Sequence, residues 1–167
     1  CGLDQIVLQF RLARLGPARS IQVAVIQGNI GHEIKFRPEH RSANLARLMA
    51  LEMGKPITET LGEIRYGNNM VEWYAEEAKR IGGENIPSQF PHKRLTTIKQ
   101  PTGIVYAITP WNFPIAIVAR KVAPALAAGC TVVGRPSEFT PRSGMLLTQA
   151  LQEAGIPAGV MNLINGE

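Results

Sequence analysis

Ile104-Val-Tyr-Ala-Ile-Thr-Pro-Trp-Asn-Phe-Pro114 is the stretch that decides the fold of this chain. Its first five residues form a nearly continuous apolar run of strand length, as in a parallel strand buried on both faces. Pro110-Trp-Asn-Phe-Pro114 then packs two prolines, two large aromatics and an amide into a turn. Pro114 takes a first helical position, and Val118, Val122, Ala125 and Leu126 give an apolar stripe that Gly129 closes, with Pro124 expected to kink the helix. Cys130-Thr-Val-Val133 repeats the apolar strand. Thr140 followed by Pro141 reads as an N-cap with proline behind it, a helical stripe runs from Met145 to Ala154, and Val160-Met-Asn-Leu-Ile164 is a third strand. Strand, helix, strand, helix, strand in succession predicts an α/β fold with a parallel, right-handed, Rossmann-like βαβαβ sheet.

Two helices precede the sheet. Leu45, Leu48, Met49 and Met53 follow helical spacing until Gly54 and Pro56 stop it. Leu61, Ile64, Val71, Tyr74, Ala75 and Ala78 share one face of a longer helix that Gly82-Gly83 ends, with Glu59, Glu63, Glu76 and Lys79 largely elsewhere. Gly67-Asn-Asn69 are poor helix formers at its centre. Arg94-Leu-Thr-Thr-Ile-Lys99 alternates as a strand does, and before Pro38 only Ile21 to Ile26 has strand character.

With 167 residues, 45% hydrophobic, 6% aromatic and 19% charged, the chain reads as a soluble globular domain rather than a disordered or membrane-spanning one. Seven of the 18 Lys/Arg and three of the 13 Asp/Glu lie before Leu48, so four of the five surplus positive charges sit in the N-terminal quarter. Only Phe10 and Phe36 accompany them, which argues against nucleic acid as a partner. Cys1 and Cys130 make no disulfide framework, no Cys/His spacing suits a metal, and no signal-peptide core can be built around Ile6-Val-Leu8, so a cytoplasmic protein is expected.

A ligand of such a sheet belongs outside the carboxyl ends of the strands: Thr109 to Pro114, Gly134 to Glu138, and Asn165-Gly166. Prolines fix the path of the first of these, so Asn112 either presents its amide NH2 at a defined point, where it could stabilise an oxyanion, or caps the following helix. No G-x-G-x-x-G follows Ile108, so the usual dinucleotide fingerprint is absent.

Ile108-Thr-Pro-Trp-Asn-Phe-Pro114, Ala125-Leu-Ala-Ala-Gly-Cys-Thr-Val-Val133, Arg135-Pro-Ser-Glu138 with Thr140-Pro141, and Gly155-Ile-Pro-Ala-Gly-Val-Met-Asn162 together resemble the aldehyde dehydrogenase superfamily. Leu48-Met-Ala-Leu-Glu-Met-Gly-Lys-Pro56 and Glu72-Trp-Tyr-Ala-Glu-Glu-Ala78 extend the likeness, which covers about Asn44 to Glu167 and looks most like the succinate-semialdehyde branch. The resemblance implies oxidation of an aldehyde, such as succinate semialdehyde, to an acid with NAD or NADP through a cysteine thiohemiacetal and thioester. It gives Asn112 the catalytic oxyanion role and places Ile108, Thr109, Pro110, Trp111 and Asn112 along the nicotinamide. Arg135, Ser137 and Glu138 fall at the adenosine ribose. Arg135 stands where the family has Lys, and Gly134 where it has a larger apolar residue. Glu138 suits a free 2′-hydroxyl, hence NAD, whereas the Arg135 guanidinium suits phosphate. Arg120 falls at the position that holds a substrate's distal carboxylate in the semialdehyde branch, or it solvates a helix face.

The same resemblance implies a divergent or irregular segment over residues 1–43 and a truncated NAD(P)-binding domain over 44–167. The family's nucleophilic Cys and general-base Glu fall beyond Glu167, so this chain alone is expected not to turn over. Cys130 opens an apolar strand and is no substitute, and His32, His40 and His92 are expected at the surface. A homo-oligomer is implied for the full-length protein, with Arg94 to Gln100 as an edge that could meet a partner. The alternative is a non-catalytic nucleotide-binding or interaction fragment.

Overall fold

The computed structural model describes residues 7–10, 21–24 and 39–166, with side chains from Ser42 onward. β1 (Val7–Phe10) pairs antiparallel with β2 (Ile21–Ala24), which lies inside the strand expected at Ile21 to Ile26. α1 (Glu39–Met53) ends at Gly54, whose φ of 74° lets its N–H donate to Ala50 O at 2.8 Å. α2 (Ile57–Ala78) packs back on α1, with the buried Thr60 hydroxyl within reach of Ala46 O (3.1 Å) and Ile57 O (2.9 Å).

α2 stops at Ala78, ahead of the glycines expected to end it. Gly83 has another task. A Cβ there would lie 1.9 Å from Thr97 O, where the chain returns to pair β3 (Asn85–Ile86) with β4 (Leu95–Thr96) as an exposed antiparallel hairpin. The expected strand Arg94 to Lys99 is thus paired only at its first part.

The main sheet comprises β5 (Ile104–Ile108), β6 (Thr131–Arg135) and β7 (Met161–Leu163), all parallel and in chain order. α3 (Ala116–Ala127) and α4 (Pro141–Glu153) are the crossovers. α3 runs through Pro124 as one element, and both helices end at a left-handed glycine. Gly129 N–H donates to Leu126 O while Cys130 N–H donates to Ala125 O, both at 2.9 Å; Gly155 and Ile156 repeat the pattern on Gln152 O and Leu151 O.

Strand order equal to chain order puts both right-handed crossovers on one face of the sheet. Ala107, Val132 and Met161 are buried on that face, against Val118 and Val122 of α3 and Leu147 and Leu151 of α4. The expectation that β5 is buried on both faces is therefore corrected: Ile104, Tyr106 and Ile108 point to the uncovered side and are exposed. Gly134 faces the covered side, and the space a larger residue would fill there is taken by Met161 Cε, 3.1 Å from where a Cβ would sit.

Glu63, expected largely off the apolar face of α2, is buried. Thr140 stands at the N-cap of α4 with Pro141 behind it, as expected, but its hydroxyl makes no capping bond. Instead the hairpin of α1 and α2 supplies a carboxylate to the start of each crossover helix. Glu63 Oε1 accepts from Ile115 N–H (2.9 Å) and Ala116 N–H (3.2 Å). Glu52 Oε1 accepts from Arg142 N–H (2.9 Å), and its Oε2 accepts from Ser143 N–H (3.1 Å) and the Ser143 hydroxyl (2.5 Å). A carboxylate at a helix N-terminus meets orphan N–H groups and the positive end of the dipole together. Glu52→Ala is accordingly expected to destabilise the chain by about 1–3 kcal/mol, since three donors lose a charged acceptor. Thr140→Val is expected to cost less than about 0.5 kcal/mol, because that hydroxyl is buried without a partner. Urea unfolding of both variants measures the contrast.

Candidate active site

β5 delivers the chain to the carboxyl end of the sheet, and the turn at Pro110 to Pro114 carries it over to α3. Thr109 is buried and its N–H donates to Arg135 O at 3.0 Å, continuing the β5–β6 ladder in which Ile108 pairs with Arg135. Pro110, Trp111, Asn112 and Phe113 are exposed, and Pro114 is buried again, so the turn stands out from the body with both ends anchored.

Asn112 does not cap α3. The N–H groups it would serve are taken by Glu63, and its side chain makes no hydrogen bond to the described residues. Its main-chain oxygen accepts from Lys55 Nζ. That ammonium also lies 3.6 Å from the centroid of the Phe113 ring, and 3.4 Å from Glu63 Oε2. Lys55 was not singled out in the sequence. Its only signal there is its place in Gly54-Lys-Pro56, where a left-handed glycine and a proline fix the direction of the link between α1 and α2.

Beside the corner, α2 and α3 enclose an open hollow of about 380 Å³. Tyr66, Phe113 and Ile117 give it apolar walls, and Lys55, Glu59 and Arg120 bring charge to it. Gly62 lies on its α2 side; a Cβ there would meet nothing within 4 Å. Arg120 is exposed and has no ion-pair partner among the described residues. The helices approach closely behind the hollow because Gly67 offers no side chain: its Cβ would stand 3.1 Å from Ile115 Cγ2.

The second strand end gathers the remaining predicted residues. Arg135 Nη2 donates to Gly166 O at 2.7 Å. The buried Ser137 hydroxyl accepts from Phe139 N–H (3.2 Å) and reaches exposed Glu138 Oε2 at 3.4 Å. Arg135 and Glu138 form no ion pair, so the carboxylate and most of the guanidinium remain open to a ligand. The Thr109 and Thr140 hydroxyl oxygens, at the ends of β5 and in the loop after β6, are buried without partners. Ile108, Thr109, Arg135, Ser137 and Glu138 thus share the carboxyl edge of the sheet, whereas Arg120 belongs to the hollow, with the 110–113 corner between the two groups.

Cys130 sits at the opposite, amino end of β6, buried, with Sγ 3.6 Å from Thr102 Oγ1. The five residues to Arg135 span about 16 Å of extended chain, so this thiol cannot serve the strand-end site. His92 is exposed, while the side chains of His32 and His40 lie outside the described residues. No group of three His, Cys, Asp or Glu side chains among the described residues could hold a metal, and no described helix is long and apolar enough to cross a membrane.

Residues 29–167 match the aldehyde dehydrogenase family. The chain is 55% identical over 123 residues to glutarate-semialdehyde dehydrogenase of Pseudomonas putida, covering 74% of this chain and 26% of that protein. It is 54% identical over 128 residues to the NADP(+) succinate-semialdehyde dehydrogenase of Escherichia coli, covering 77% and 26%. A betaine aldehyde dehydrogenase of Staphylococcus aureus, solved in complex with NAD+, superposes with a TM-score of 0.78 at 37% identity over 83% of this chain and 28% of that one. The chain therefore spans about a quarter of the length of the curated relatives it matches. The sequence match, the parallel sheet and its proline-flanked corner agree: this chain belongs to the aldehyde dehydrogenase family.

Proposed function

We propose that this chain is the part of an NAD(P)-dependent semialdehyde dehydrogenase that holds the nucleotide and offers Asn112 to the reacting carbonyl. The observation that carries the proposal is an amide side chain left without a hydrogen bond on a corner held from both sides. When a nucleophile adds to an aldehyde, the carbonyl oxygen acquires negative charge. An Asn112 Nδ2–H held in place before that moment stabilises the charge without reorganising. Cys130, the thiol among the described residues, is buried, so the proposal gives it no part as the nucleophile.

The carboxyl edge fits a nicotinamide dinucleotide: two hydroxyl groups there are orphaned in the protein alone, and the Glu138 carboxylate is exposed. Ile108, Thr109, Pro110 and Trp111 would line the nicotinamide, and Arg135, Ser137 and Glu138 the adenosine ribose. The bound nucleotide supplies the hydride acceptor. Glu138 accepts from a free 2′-hydroxyl and repels a 2′-phosphate, which favours NAD. Arg135 already gives one N–H to Gly166 O, which supports the same choice.

Arg120, without an ion-pair partner among the described residues, would hold the distal carboxylate of a semialdehyde. Gly62 keeps the hollow wide. An unstrained glycine inside a helix costs about 1 kcal/mol relative to alanine, and nothing packs close enough to require it. Exposed Ile86, Leu95 and Ile98 on the β3–β4 hairpin support a homo-oligomer contact in the complete protein.

In a chimera placing residues 44–167 in the matching segment of the E. coli relative, Asn112→Ala is expected to lower kcat by about 10²–10³. An unchanged maximal rate would remove the oxyanion role. In the same background Arg120→Met is expected to raise KM for a semialdehyde about tenfold or more while sparing an uncharged aldehyde of equal length. An equal change for both substrates would move Arg120 out of the binding role. Gly62→Ala is expected to stabilise the chain by about 0.5–1 kcal/mol in urea unfolding, and Gly62→Leu to raise KM for longer aldehydes first. The unmodified 167-residue chain is expected to bind NAD in calorimetry and to leave aldehyde unoxidised; turnover by this chain alone would refute the assignment of the nucleophile.

A further inference from the structure

The corner that carries Asn112 is exposed over four consecutive residues, yet it is tethered by two side chains that the proposed chemistry does not use. Lys55 holds its middle, donating to Asn112 O and lying over the Phe113 ring at 3.6 Å. Glu63 holds its far end, accepting from Ile115 N–H at 2.9 Å and Ala116 N–H at 3.2 Å. The two tethers meet through Lys55 Nζ and Glu63 Oε2 at 3.4 Å, with side-chain exposures of 21% and 2%.

We propose that Lys55 and Glu63 form a charge-neutral clamp that fixes the orientation of the Asn112 amide, acting as positioning residues for the reaction. The assignment of a reaction to Asn112 rests on the function proposed above; the clamp itself rests on the contacts alone. A buried ion pair is a poor way to gain stability, since apolar residues of equal volume often do as well. Apolar residues cannot, however, accept two backbone N–H groups and donate to a backbone carbonyl across the same turn. Lys55 lies in the link between α1 and α2, and Glu63 lies two turns into α2, so the clamp ties the corner to the helical hairpin rather than to the sheet that delivers it. Small misplacement of a hydrogen-bond donor costs rate before it costs binding.

The first test uses the ¹⁵N-labelled 167-residue chain. Lys55→Met is expected to shift and broaden the Asn112 side-chain NH2 pair and the Trp111 indole signal, while Asn162 on β7 stays in place. Lys55→Arg, which keeps the charge and the donor, is expected to restore the corner signals. Glu63→Gln keeps an oxygen for α3 but loses the charge opposite Lys55, and is expected to displace the corner as well. Corner signals that stay put in Lys55→Met overturn the clamp whatever Asn112 does. If Lys55→Met loses dispersion throughout, Lys55→Gln decides in the same way.

The second test uses the chimera. Lys55→Met, assayed with an uncharged aldehyde so that the altered charge of the hollow does not enter, is expected to lower kcat about tenfold and to add nothing on top of Asn112→Ala. If Asn112→Ala lowers kcat and Lys55→Met does not, the clamp is overturned and the oxyanion role stands. If Asn112→Ala leaves kcat intact, the oxyanion role falls, and the spectra alone decide the clamp.

Discussion

The carboxylate of Glu63, shut between α2 and the first turn of α3, is the contact on which the site depends. Burying a charge is costly unless it is paired and hydrogen-bonded, and here one acid receives two backbone N–H groups, the positive end of a helix and a lysine ammonium. Glu52 does the same at α4 with two N–H groups and a serine hydroxyl. Each acid sits on the helical hairpin and each set of donors on a crossover helix. The hairpin and the βαβαβ unit are thereby fixed in register by directional bonds, in addition to the non-directional packing of Leu45, Met49, Ile64 and Val71 against α3 and α4.

That arrangement explains why a short turn can present an amide to solvent. An asparagine just before a helix ordinarily turns back to satisfy the first N–H groups. With Glu63 in that position the demand is already met, and Asn112 is released from the role its location would suggest. Prolines at both ends of the corner restrict φ, and Lys55 fixes the carbonyl between them. Gly67 completes the geometry, because α2 must come within side-chain contact of Ile115 for Glu63 to reach the helix end. Backbone restriction, an acid, a lysine and a missing Cβ act on the same few residues.

Periodicity and turn chemistry made the elements legible: β5, α3, β6, α4 and β7 fall where the apolar spacing and the glycine stops put them, except that Pro114, expected at the first helical position, precedes α3, which begins at Ala116 behind Ile115. The strand-end location of the cofactor candidates followed from sheet topology, and the register of β5 against β6 brings Ile108 beside Arg135. What could not be read was any bond across a long separation. Glu63 was legible only as lying off the apolar face of α2, because its partners lie 52 and 53 residues away, and Glu52 reaches 90 and 91 residues to α4. The same limit applies to the burial of β5. An apolar run cannot tell whether one face or both are covered, and here the chain-order topology stacks both crossovers on one side. Thr140 does stand at the cap of α4, but Glu52 takes the N–H groups of Arg142 and Ser143 behind it.

The two cations of the hollow are not equivalent, and the difference bears on what the hollow can receive. Lys55 is neutralised by Glu63 and committed to the corner, so it contributes little net field to a ligand. Arg120, on the opposite helix, has neither restraint among the described residues. Glu59 brings a negative charge to the same cavity, so an anionic group would gain by approaching Arg120 and lose by drifting toward the first turn of α2. Tyr66, Phe113 and Ile117 leave the middle apolar. Under the proposed function, a ligand with a negative head and a short apolar stem would be oriented as well as attracted. A neutral aldehyde would meet the same walls but no force that distinguishes one end from the other. Orientation of this kind depends on Gly62 remaining without a side chain, since a branch there would enter the space that the stem must cross.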